Sequence, residues 1–121
     1  MLVHAIWSQF TRTAEANGFE IPAYCFMPDH LHLLAEGVAA NADLRVFVAE
    51  AKRVAAHAAR PFMRGRLWQP GYYDRILRDR DDAYEIIRYI LENPTRARLP
   101  EAQRKFPFVG GSKVTGNTSA V

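Results

Sequence analysis

The sequence has one cysteine, Cys25, so no disulfide can form within the chain, and a cytoplasmic setting is the default expectation. No apolar run approaches the roughly 18 residues of a membrane span. No basic segment precedes an apolar stretch between Met1 and Phe10, so no secretory leader is visible. CxxC and HExxH motifs are both missing, which argues against a structural zinc site. Internal repeats are absent too. The only compositionally biased stretch is the Gly-, Ser-, Thr- and Asn-rich tail, residues 110–121, expected to be disordered. That leaves residues 1–109 as one domain.

What is present is ordinary in bulk and uneven in distribution. Hydrophobic residues make up 49% and charged residues 24% of 121 positions, enough for a modest core. Net charge is only +3, yet residues 44–80 hold nine basic side chains against three acidic ones, while residues 1–43 hold one against five. Thirteen of the sixteen cations are Arg, whose planar fork suits phosphate. A basic middle of this kind suits a polyanion, although a solvated helix face has the same composition.

Periodicity predicts a helix over Leu2–Asn17, stopped by Asn17-Gly18. Phe19–Glu36 reads as two short strands or a hairpin arm, punctuated by Pro22 and Pro28. Asn41 or Asp43 caps a second helix to about Ala59, with Leu44, Phe47, Val48, Ala51 and Ala55 in one stripe. Pro61 ends it, a basic loop follows to Arg66, and Leu67–Arg78 reads as strand. A third helix starts at Asp81 or Asp82 and is expected to end near Asn93, because Pro94 follows. A short fourth helix is expected over Thr95–Arg104. This order predicts an α+β domain with helices on one face of an antiparallel sheet and the other face free for a ligand.

Three constellations carry possible chemistry. In Asp29-His30-Leu31-His32-Leu33, strand alternation puts His30 and His32 on one face and the leucines in the core. Two imidazoles so spaced can share a cation, and spacing alone equally admits two exposed histidines without a role. In the third helix, Ala83, Ile86, Ile87, Ile90 and Leu91 form the apolar stripe, and Tyr89 falls on the opposite side near Glu85, Glu92 and Asn93. A phenol there is either a rim residue or a nucleophile. Finally, Trp68, Tyr72 and Tyr73 stand among arginines and can stack bases or fill the core.

Together these blocks resemble a known family. Ala23-Tyr24-Cys25-Phe26-Met27-Pro28-Asp29-His30-Leu31-His32-Leu33-Leu34, then Trp68-Gln69-Pro70-Gly71-Tyr72-Tyr73-Asp74, then Tyr89-Ile90-Leu91-Glu92-Asn93-Pro94, are similar to the REP-associated tyrosine transposases, relatives of the single-tyrosine His-hydrophobic-His transposases. The resemblance runs over roughly residues 2–109. It implies a ferredoxin-like α+β fold, a homodimer, and processing of single-stranded DNA beside hairpins through a covalent 5′-phosphotyrosine. It further implies that His30, His32 and Asn93 hold a divalent metal, Mg²⁺ or Mn²⁺, and that Tyr89 is the nucleophile. DNA contacts are expected from Lys52, Arg53, Arg64, Arg66, Tyr72, Arg75 and Arg78. Family chains begin with a strand ahead of the first helix, so the first strand is expected to be missing here. Two alternatives stay open: a hairpin-binding module or decayed transposase that does not cut, and a metal-dependent hydrolase using His30, His32 and a carboxylate such as Glu85.

Overall fold

The computed structural model describes residues 2–68 and 83–112. The elements are α1 (Leu2–Ala16), β1 (Phe19–Met27), β2 (His30–Gly37), α2 (Leu44–Ala59), α3 (Ala83–Arg96), a 3₁₀ turn over Glu101–Gln103, and β3 (Val109–Gly110). The strands form one antiparallel sheet in the order β2-β1-β3, which makes the chain an α+β protein as the element pattern leads one to expect. Among the described residues no strand precedes α1, and the outer edge of β2 has no strand partner.

Local chemistry explains most element ends. Gly18 closes α1 with φ 75°, a conformation that costs glycine little. Its carbonyl then accepts from Val38 (2.8 Å), tying the start of β1 to the end of β2. Pro22 falls where the β1–β2 register shifts, between Glu20 and Ala23, so a residue without an N–H sits at an irregularity rather than in the ladder. Asp43 caps α2, its Oδ1 accepting from the N–H groups of Arg45 (3.0 Å) and Val46 (3.3 Å).

The sheet is covered on both faces. Phe19, Ile21, Tyr24 and Phe26 of β1 pack with Ile6, Phe10 and Ala14 of α1 and with Phe47, Ala51 and Ala55 of α2. Leu31, Leu33 and Ala35 of β2 join that core, as strand alternation predicts. On the opposite face, Ala23 and Cys25 pack with Ile90, flanked by Met27, Leu34, Ile86, Ile87 and Leu91. The expectation of helices on one face therefore holds for α1 and α2 and is corrected for α3, whose apolar stripe needs a sheet face of its own to bury.

Two further expectations change. The helix predicted to stop near Asn93 runs through the buried Pro94 to Arg96, and the predicted helix over Thr95–Arg104 reduces to the end of α3 and the short 3₁₀ turn. Gly110, read as the start of the tail, is buried in β3 against Tyr24. Of the predicted strand Leu67–Arg78, only Leu67 and Trp68 are among the described residues, where they form a bend packed on the first core.

Candidate active site

Register decides where the histidines go. Met27 lies opposite His30, Cys25 opposite His32, and Ala23 opposite Leu34. Directly paired residues in an antiparallel ladder share a face. His30 and His32 therefore stand on the face that carries Ala23 and Cys25, which is the face covered by α3.

The two imidazoles converge. Their Nε2 atoms are 2.8 Å apart, with the rings edge to face at 84°. His30 donates from Nδ1 to the Asp29 carboxylate at 2.5 Å, an interaction that fixes its tautomer and leaves Nε2 as the acceptor atom. That donation, and the charge behind it, hold the Asp29 carboxyl below its ordinary range. His32 is held below the usual imidazole range by burial, then by the neighbouring His30 and by Arg96, which favours the neutral form that ligates metals. Adjacent ligands of an octahedral cation, at about 2.1 Å each, stand about 3.0 Å apart. The observed nitrogen separation fits that arrangement. Among the described residues no third His, Cys, Asp or Glu joins them, so Glu85 does not complete a hydrolase-type set.

Tyr89 and Asn93 arrive from α3, four residues apart and so on one side of the helix. The Asn93 amide acts on the Cys25 thiol, which stands directly across the ladder from His32, and opposes part of the rise that burial causes. The thiol itself is pushed up to about 11, chiefly by burial. Tyr89 is 60% exposed, away from the stripe of Ile86, Ile87, Ile90 and Leu91. Ala83, expected on that stripe, is exposed at the helix start.

The residue that sequence reasoning missed is Arg96. Its guanidinium lies 4.0 Å from the centre of the Tyr89 ring, and Nη2 donates to the Tyr89 carbonyl at 2.6 Å. Its charge also reaches His32 and Cys25. Arg96 thus touches the tyrosine, and its charge is felt on the histidine strand. The signal was the seven-residue step from Tyr89, two helical turns, which becomes visible only once α3 continues past Pro94. Asp29 was also missed as the partner of His30, although it stands next to it in sequence.

Of the predicted DNA contacts, those among the described residues do not gather at this site. Lys52 and Arg53 lie on α2, and with Arg60, Arg66, Leu67 and Trp68 they line an open groove. Trp68 anchors it by donating from Nε1 to the Lys52 carbonyl at 2.9 Å while its ring meets Phe10. This groove belongs to the α1–α2 layer, across the sheet from the histidines. Arg64 is exposed in the adjoining loop. Tyr72, Arg75 and Arg78 lie outside the described residues.

The family model "Transposase IS200 like" matches residues 2–93. The chain belongs to the IS200-like transposase family. A Haemophilus influenzae protein named "Putative REP-associated tyrosine transposase" is 27% identical over 112 residues, covering 84% of this chain. This IS200-like chain spans 64% of that relative's length. No solved structure matches it. Among the described residues, no helix of this transposase relative is long and apolar enough to cross a membrane.

Proposed function

We propose that this IS200-like transposase chain nicks and rejoins single-stranded DNA beside hairpins, with Tyr89 as the nucleophile and His30, His32 and Asn93 as the metal-binding residues. One observation carries the reading: α3 packs on the sheet face that bears both histidines, which brings Tyr89 and the paired imidazoles to the same side of the molecule. His30, His32 and Asn93 would hold a divalent ion, Mg²⁺ or Mn²⁺, which when bound would neutralise and orient the scissile phosphate.

The chain's own groups do the rest. The Asp29 carboxylate orients His30, so that the Nε2 atoms face a common point. The Tyr89 phenol is open to solvent, which gives a DNA strand access to it and gives its proton a route to water. Attack by the phenolic oxygen breaks the bond from phosphorus to the 3′ oxygen, which leaves as a 3′-hydroxyl after taking a proton. The 5′-phosphate stays on Tyr89, and attack by a second 3′-hydroxyl reverses the link and joins strands. Because the covalent link retains the phosphodiester energy, no nucleotide is consumed. Basic residues of the α2 groove and its loop (Lys52, Arg53, Arg64 and Arg66) bind DNA flanking the cut by charge. A homodimer and a cytoplasmic location complete the proposal.

The test is a labelled single strand with a hairpin, incubated with Mg²⁺ or Mn²⁺ and analysed under denaturing conditions. A protein–DNA adduct is expected, and it should vanish in Tyr89→Phe. Persistence of the adduct in that variant removes Tyr89 from the role. Binding without any adduct identifies a hairpin-binding module, and cleavage without an adduct identifies a hydrolase. Replacing both His30 and His32 with Ala should abolish metal-dependent adduct formation while leaving most salt-sensitive binding.

A further inference from the structure

We infer that Arg96 is a phosphate-binding residue of this site, its guanidinium gripping the non-bridging oxygens of the phosphate that Tyr89 attacks. The inference rests on the reading of Tyr89 as nucleophile. It comes from where the guanidinium lies: 4.0 Å from the centre of the Tyr89 ring and held there by a 2.6 Å hydrogen bond to the Tyr89 carbonyl. A phosphate brought to the Tyr89 oxygen must come close to this cation, because the guanidinium lies over the phenol ring itself.

Arg96 has donors to spare. Arginine carries five N–H donors, and one goes to the Tyr89 carbonyl. The Glu92 carboxylate stands 3.9 Å from Nη1, beyond hydrogen-bonding distance, and also faces Arg88 at 3.6 Å. Among the described residues, then, Arg96 is fixed by stacking and one backbone bond, with its charge only partly countered. A rigid planar fork with unused donors matches phosphate geometry. As the phenolic oxygen bonds to phosphorus and the bond to the 3′ oxygen breaks, negative charge is redistributed over the phosphoryl oxygens, and a fixed cation there stabilises it. Arg96 itself gains and loses no proton.

The test couples a change in the protein with a change in the phosphate. The wild-type cleavage position is mapped first. A second substrate then carries a neutral methylphosphonate at that position. With saturating ordinary DNA, R96Q should slow adduct formation on the order of 100-fold, the scale for losing one preorganised donor, and R96K should recover part of the loss. On the methylphosphonate, wild type and R96Q should differ by no more than about threefold, because the charge that Arg96 reads is gone. The thermal midpoint of each variant reports whether the fold survives, and R96K serves in the same comparison if R96Q does not fold. Normal adduct formation by R96Q, with Tyr89→Phe still inactive, overturns the inference and leaves the Tyr89 reading standing. An R96Q deficit undiminished on the methylphosphonate overturns it as well, since Arg96 then acts through the fold or the tyrosine. If wild type forms no Tyr89-dependent adduct, both fall together.

Discussion

Cys25 lies wholly buried on β1, the strand paired with the histidine strand, and its ordinary value of 9.0 is raised to about 11 chiefly by that burial. Above about pH 9 the unfolded chain releases this proton while the folded chain keeps it, so the unfolded state binds fewer protons and stability falls as pH rises. Urea midpoints should therefore be flat up to pH 9 with respect to this group and decline between pH 9 and 11. The decline should be shallower in Cys25→Ala. If the slope is the same in that variant, another group governs the alkaline limb. Tyr24, whose phenol is also raised by burial, is the first to examine. At this scale the sequence was informative where chemistry follows a short period. The alternation of His30 and His32 with leucines put both imidazoles on one face, and helical spacing put Tyr89 off the apolar stripe. It was silent on Arg96 because that side chain's role depends on a helix continuing through a proline, which local rules read as a stop.

The end of α3 shows why such boundaries are hard to read. Leu99 N–H bonds the Pro94 carbonyl and Arg98 N–H bonds the Thr95 carbonyl, both at 3.0 Å, with Arg98 at φ 58°. That is a Schellman ending with arginine where glycine is usual, so the sequence lacks the expected stop signal. A side chain in this conformation is strained, and Arg98→Gly should stabilise the chain by about 0.5–1 kcal/mol, read from the denaturation midpoint. No gain in stability would mean that the arginine side chain makes contacts that offset its backbone cost. At the other kind of boundary the code was legible. Asp43 precedes an apolar stripe and caps α2 as expected. Asp43→Ala should cost about 1 kcal/mol, because two α2 N–H groups lose their acceptor. The hairpin of β1 and β2 was equally legible from aromatic and β-branched residues broken by prolines. The placement of α3 on the second sheet face was not, since amphipathicity says that a helix buries a stripe without saying against which surface.

Among the described residues, the cations of the α2 groove stand apart from the candidate chemistry. The basic groove on α2 and the histidine–tyrosine site occupy opposite faces of the sheet. A DNA strand served by both has to pass around an edge, or a second copy must supply one of the two surfaces. Arg53→Ala and Arg66→Ala should each weaken single-strand binding and reduce the slope of log affinity against log salt by about 0.7. Unchanged slopes would remove the groove from the DNA path. The two faces also differ in how firmly they are built. Helices α1 and α2 each bury four residues, whereas α3 buries two, Ile90 and Pro94. Amide exchange should accordingly be faster in α3 than in β1, through partial opening that leaves the α1–α2 side intact. Tyr89 thus rides on the least anchored of the three described helices, so in the proposed reaction the fraction of time α3 stays docked would set an upper limit on how often the phenol and a phosphate held at the imidazoles meet.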